Sequence, residues 1–297
     1  MTVSDMEGKR PSAKVFEAVL ILFMVLFGIT VLYPFVFLLA LSFNQGLDAL
    51  KGGITLWPRK VTLENYSIIV KDPRLLHAVF ISVSRTALGT LLAVLITGYV
   101  SFCFTKRQMV GRRFYMTLLI LPMYINAGII PTYLTYRAFG LTNTFLVYIV
   151  PNLVWAYNIL IMRTFFQSLP PAFEESAMID GANEFVVFFR VVFPLSMPVV
   201  ATIGLFNAVW HWNTWFDTIL LTRKTSLETL MSLLAKMLLE QQSNLISDLR
   251  NARRVRFMTP TVLRAAMTIV TTVPIVLVYP FLQKYFVKGV LIGGVKG

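Results

Sequence analysis

Apolar residues run along this chain in six blocks, with the charges gathered between them. The blocks cover residues 15–41, 78–104, 114–136, 144–166, 194–221 and 261–286. A helix needs about 20 mostly apolar residues to cross ~30 Å of hydrocarbon, and each block reaches that length. The pattern predicts an all-α membrane protein with six transmembrane helices. The first block is interrupted only by Glu17 and the second carries Arg85 near its start. It has no small-residue cleavage site after the first block, which therefore reads as a retained anchor. Pro122 and Pro131 bracket part of the third block and predict a kink or local unwinding there.

Three connecting segments have patterns of their own. Residues 42–77, with Leu56-Trp57-Pro58 and Leu63-Glu64-Asn65-Tyr66, read as loop and turn. In 223–260, Leu227, Leu230, Met231, Leu234, Met237 and Leu238 recur at helical spacing, with Lys236 and Glu240 off that face. This predicts an amphipathic helix in the interface or against the bundle. In 168–193, Pro170 and Pro171 suit a first helical turn, Glu174 and Glu175 the positive end of the dipole, and Gly181 a left-handed stop. A second short helix over 183–192 then runs up to Pro194, which opens the fifth span. Residues 1–77 thus form a terminal segment, first span and outer loop, and 78–297 a five-span core. That core holds the helix-turn-helix 168–193, the outer amphipathic segment 223–260 and the tail.

Composition agrees with a lipid environment. Hydrophobic residues make up 57% of the 297 and charged residues 14%, against about 25% charged in soluble domains; mean hydropathy is +0.71. A soluble enzyme, a nucleic-acid binder and a disordered chain all need more polar surface. The excess of 27 Lys and Arg over 14 Asp and Glu lies between the apolar blocks. Short loops rich in cations face the cytoplasm. The 105–113 loop carries Lys106, Arg107, Arg112 and Arg113 without an acid; Lys9, Arg10 and Lys14 precede the first span, and Lys284, Lys288 and Lys296 lie at the chain's far end. With six spans all three fall on one side, so both termini are expected in the cytoplasm of a bacterial inner membrane. Residues 223–260 strain that rule, because Arg250, Arg253, Arg254 and Arg256 would lie outside. A cationic rim there suits capture of an anionic solute; binding to an acidic protein or to lipid headgroups accounts for it equally well.

Several chemistries are absent from the sequence. His77 and His211 are the two histidines and Cys103 is the single cysteine, too few for a zinc cluster or thiolate metal site. The phosphate-cradling G-x-x-x-x-G-K-[ST] loop is missing, so any nucleotide energy must come from another chain. Neither a nucleophile–base pair nor a metal set is present, and the expectation is a transport subunit rather than an enzyme.

Glu175-Ser176-Ala177, then Gly181, then Val191-Val192-Phe193-Pro194 resembles the EAA loop of ABC importer permeases, spacing included. Ser176 replaces an alanine and Phe193 a leucine, small for small and apolar for apolar. Leu63-Glu64-Asn65-Tyr66, His211-Trp212-Asn213-Thr214-Trp215-Phe216-Asp217 and the sequence from Tyr279 to Gly297 are similar to the carbohydrate-uptake, MalG-like branch. The chain also resembles the second membrane subunit of bacterial alginate importers. This resemblance implies a second permease subunit, two ATPase subunits that bind ATP and Mg²⁺, and a periplasmic solute-binding protein. No cofactor is implied in this chain itself. It also implies a coupling role for Glu174, Glu175, Ser176, Ala177, Met178, Asp180 and Gly181, docked in a groove of the ATPase. The cargo would be an oligo- or polysaccharide, with an acidic, alginate-like glycan as one candidate.

Polar residues inside spans face a cavity or a neighbouring helix. Asn207, His211 and Thr214 with Thr218 form one helical stripe beside Trp215; Asn152 and Trp155 form another with Tyr148, and Asn126 and Tyr133 a third with Arg137. Such faces suit sugars, whose hydroxyls need hydrogen bonds and whose ring faces stack on aromatics. Helix packing, or an interfacial aromatic belt for the tryptophans, explains them as well. Arg85 and Asp217 could pair. A secondary transporter or channel working without an ATPase is the alternative, but no inverted repeat is visible and only Asp217 would suit a proton relay.

Overall fold

The structure, a computed structural model, describes residues 11–125, 127–244 and 259–294. Among these residues all the regular elements are helices and there is no strand; one isolated bridge pairs Asn44 with Val61. The helices in order are α1 (Pro11–Ser42), α2 (Gly46–Ala49), α3 (Glu64–Lys71), α4 (Pro73–Cys103), α5 (Arg112–Ile120), α6 (Ile129–Ala138), α7 (Leu146–Ile149) and α8 (Ala156–Gln167). They continue with α9 (Ala172–Ile179), α10 (Glu184–Val187), α11 (Phe193–Leu195), α12 (Met197–Asn213), α13 (Phe216–Leu221), α14 (Leu230–Asn244) and α15 (Pro260–Gly294).

Two compact units emerge. The first joins the chain up to Lys71 with Glu240–Val270. Ala40 and Leu41 at the end of α1 meet Ile54, Val262 and Ala265, whereas none of the apolar window of α1 is buried. A polar knot follows α1. Asn65 donates to the Ser42 and Asn44 carbonyls, Asn44 accepts from the Lys60 amide, and Arg59 pairs with Asp48 at 3.0 Å. Hydrogen bonding from Asn44 holds the Asp48 carboxyl below the usual carboxylate range. The stretch 42–77, expected as loop and turn, is partly helical instead: Glu64-Asn65-Tyr66 opens α3, and from there the Asn65 amide ties the segment to the end of α1.

The second unit comprises Asp72–Leu239 and the chain from Thr271. Asp72 caps α4 by accepting from the Arg74 amide, and Pro73 takes the first helical position, where a missing N–H costs nothing. α12 and α8 pack along α4, and their shared core gathers Val94, Phe102, Met162, Phe166, Val199 and Ile203. The amphipathic segment forms α14 with Leu230 and Leu234 buried, as its spacing predicts, while Leu238 is exposed. Arg250, Arg253, Arg254 and Arg256 lie outside the described residues.

The apolar blocks are less continuous than their hydropathy suggests. Three helices are long and apolar enough to cross a membrane unbroken: Ala13–Ser42, Pro73–Cys103 and Pro260–Val278. Two bent pairs raise the number to five among the described residues: Leu146–Asn152 with Ala156–Gln167 at 51°, and Glu184–Leu195 with Met197–Asn213 at 85°. The block at 114–136 is two helices, α5 and α6, separated by a 3₁₀ turn at Leu121–Met123 and by Gly128 with φ +80°. Pro122 lacks an N–H to continue the ladder, and Gly128 adopts a backbone closed to most residues. The predicted unwinding is there, and it divides this block into two short helices.

Candidate functional site

The helix-turn-helix at 168–193 forms as its residues predict, but Pro194 does not open the fifth span: it stays on the second arm in α11, and the span begins at Met197 beyond the bend. α9 ends where Gly181 turns left-handed at φ +83°. The Gly181 amide then bonds the Met178 carbonyl and the Ala182 amide bonds Ala177, closing the last carbonyls of the helix. Asn183 starts the next helix by accepting from the Val186 amide at 2.9 Å. The second arm continues through a π-helical turn at Phe188–Val192. An 85° bend at Ser196 then sets this arm across the direction of α12. Two faces result. Ala177 and Ala182 pack onto the core through Val187, Phe188 and Val192, with Phe188 meeting Phe102 and Tyr99 edge-on or tilted. Glu175, Ser176, Met178, Asp180 and Gly181 face outward, beside Ile179 at 86% exposure.

One cation holds both arms. Lys106 Nζ lies 2.7 Å from Glu174 on α9 and 3.3 Å from Glu184 on α10, and 4.3 Å from the centre of the Phe102 ring. Glu174 is thus engaged within its own chain, whereas Glu175 is left outward. Sequence reasoning placed Lys106 only as a topology-setting charge, because 68 residues separate it from Glu174. It also passed over Ile179, although an isoleucine between Met178 and Asp180 at a helix end is a readable sign of an exposed apolar knob. Lys106→Glu is expected to splay the two arms. Spin labels at Met178 and Phe189 would show a longer, broader distance distribution than in the parent protein.

A buried polar seam lies between α4 and the end of α12. Arg85, fully enclosed, pairs with Asp217 at 2.6 Å, bonds the Thr214 carbonyl at 3.2 Å and sits 4.4 Å above the Tyr148 ring. Thr214 ends α12 in extended geometry (ψ 123°), and Asp217 turns back to accept from the Thr218 amide at 2.7 Å. The charge pair therefore stitches a helix that the apolar pattern had read as continuous to residue 221.

The residues expected along a path are distributed unevenly. Asn207 and His211 are buried, and the His211 ring lies against Gly89 of α4. Asn207 donates to the Ile203 carbonyl, Asn152 to Tyr148 and Thr214 to Trp210, each four residues back in its own helix. Tyr133 packs on the cluster of Ile81, Val147 and Tyr148. Trp155, 41% exposed, meets Trp210 edge-on with ring centres 5.6 Å apart. It borders a cleft of about 720 Å³ whose other walls include Val100, Phe104 and Tyr115. Trp215 is also exposed. The two tryptophan faces and the buried stripe are thus different surfaces. Asn126 lies outside the described residues.

Apolar helices of spanning length, one of them bent sharply into a protruding two-arm elbow, define an integral membrane transport component. Residues 86–292 match the family described as the binding-protein-dependent transport system inner membrane component, and the chain belongs to it as an ABC importer permease. The polygalacturonan/rhamnogalacturonan transport permease YtcP of Bacillus subtilis is 32% identical over 284 residues, covering 96% of this chain and 99% of its own. LplC of the same organism is 35% identical over 290 residues, with 96% of each chain covered. Among solved structures, a bacterial ABC transporter that imports the acidic polysaccharide alginate superposes with a TM-score of 0.86 at 26% identity. That match covers 94% of this chain and 99% of the other.

Proposed function

We propose that this permease carries an oligo- or polysaccharide bearing uronate carboxylates across the bacterial inner membrane, driven by a partner ATPase. Relatives named for polygalacturonan and for alginate support an acidic cargo, and coverage of nearly the whole chain supports a shared working cycle. The observation that carries the coupling reading is the elbow. Its buried face is locked to the bundle by Lys106 and Phe188, and its free face offers Glu175, Met178 and Ile179. A rigid two-armed element transmits a rigid-body push, which a mobile loop would absorb. ATP and Mg²⁺ bind the ATPase pair, whose clamp motion rocks the elbow and, through the Ser196 bend, α12. α1, with its apolar window unburied, is free to lie along a second permease subunit or lipid. A periplasmic solute-binding protein delivers the cargo. Lys106 and the elbow share one end of the bundle, which supports a cytoplasmic 105–113 loop. Trp155, Trp210 and Trp215 offer stacking faces to sugar rings along the path.

The test is purification of the full importer with Glu175→Lys or Gly181→Pro. We expect membrane insertion at normal levels, loss of the ATPase from the complex or of its stimulation by cargo, and uptake reduced to background. In the parent, galacturonate oligomers should stimulate ATP hydrolysis more than neutral oligosaccharides of equal length. Normal uptake by Glu175→Lys would remove the elbow from the coupling route.

A further inference from the structure

The 105–113 loop has a second face that the coupling reading does not use. Next to Lys106, a cavity of about 920 Å³ is walled by Arg107, Arg112 and Arg113 from this loop and the start of α5, and by Arg163 from α8. No carboxylate lines it, and the nearby Glu174 and Glu184 are already taken by Lys106. Arg107, Arg112 and Arg113 have no ion pair among the described residues, while Arg163 is steadied by its Nε bond to the Phe104 carbonyl at 3.2 Å. α5 also opens here, with Gly111 at its cap position and no side chain closing its first amides. The remaining wall is mostly apolar, with Phe114, Met116 and Ile120 along α5, and its one hydroxyl, that of Thr117, already donates to the Arg113 carbonyl at 3.0 Å.

We infer that this cavity binds the phosphodiester headgroup of an anionic phospholipid, with the start of its acyl chains along Phe114 and Ile120. Four like charges and an open helix N-terminus gathered around one space call for an anion. Guanidinium groups donate hydrogen bonds and accept none. The part of the ligand that meets them is therefore an anionic acceptor, as a phosphate diester is. A saccharide brings many hydroxyl donors as well, and Thr117 is the one side-chain acceptor lining the cavity to receive them. The apolar wall beside the cations is redundant for a free anion and fits a ligand whose tail continues into hydrocarbon. A basic pocket at the end of a span, opening on the leaflet that attracts cations, is placed where such headgroups lie.

The experiment uses the complete importer in nanodiscs of phosphatidylcholine mixed with phosphatidylglycerol, released into mild detergent. Retained lipids are counted by native mass spectrometry. The parent should keep phosphatidylglycerol in preference to phosphatidylcholine. Arg112→Gln with Arg163→Gln should reduce that preference roughly thirtyfold, from the usual contribution of each cation near a charged surface. The matched double lysine variant should keep most of it, which separates lost charge from misfolding. Unchanged retention in the glutamine variant overturns the proposal. Displacement of the lipid by galacturonate oligomers overturns it in favour of a saccharide site. Loss of the ATPase with lipid retention intact assigns the arginines to a protein contact and overturns it as well. Retention is read without nucleotide, so it stands or falls separately from the elbow's role.

Discussion

Asp217→Leu is expected to be among the most destabilising single substitutions in the second unit. Asp217 is the carboxylate partner of Arg85, whose guanidinium is closed to solvent on every side. Removing one member of a buried pair leaves the other charge uncompensated, at a cost of about 3–5 kcal/mol. The Thr214 carbonyl at 3.2 Å and the Tyr148 face at 4.4 Å remain, but neither carries a net charge. The damage should be local first. Arg85 and Asp217 meet where α12 gives way to α13, so without the carboxylate the cation still holds the Thr214 carbonyl but no longer ties it to the start of α13. Thermal unfolding of the detergent-purified complex should show a clear drop for Asp217→Leu and for Arg85→Met alone. The double variant Arg85→Met with Asp217→Leu should recover much of it, because the desolvation of both charges disappears together. A double variant as unstable as Asp217→Leu would mean that shape rather than charge compensation sets the cost.

Much of the architecture could be read from residue order, and the shortfalls share a cause. The elbow was legible because its determinants are local. Pro171 precedes α9, Gly181 supplies the left-handed turn and Asn183 caps the next arm, all within a dozen or so residues. The kink between Pro122 and Pro131 was legible for the same reason. By contrast, the Lys106 clamp joins residues 68 apart and the cavity arginines come from two elements, so no spacing rule announces either. The Arg85–Asp217 pair was foreseeable as two charges seeking each other in apolar surroundings, yet its role at a helix break was not. Nothing in the run Trp212-Asn213-Thr214-Trp215 contains the proline or glycine that usually marks such a break. The polar stripe of α12 shows the limit of periodicity. Spacing put Asn207 and His211 on one face, but only packing tells that this face meets α4 while Trp210 meets Trp155.

That packing makes Gly89 the second position at which a small change should have a large effect. A Cβ placed on Gly89 would overlap the edge of the His211 ring, closer than van der Waals contact to its Nε2, Cε1 and Cδ2 atoms. The ring has no route of escape, since His211 is 1% exposed and Trp210 abuts it with ring centres 5.1 Å apart. Close helix approach over a glycine is a common device in membranes, where packing rather than the hydrophobic effect joins helices. Overpacking of this kind costs about 1–3 kcal/mol, and Gly89→Val should reach the upper end because α4 and α12 must separate. α12 follows directly from the elbow through the Ser196 bend, so under the proposed coupling its packing on α4 lies on the route that elbow motion would take. Gly89→Val is therefore expected to lower the unfolding temperature and to depress uptake more than ATP hydrolysis. Pairing Gly89→Ala with His211→Ala should restore stability beyond the sum of the two single effects, because the ring that blocks the new methyl group is gone. Strict additivity in that cycle would mean that the helices do not meet through this contact, and would remove Gly89 from the proposed route of coupling.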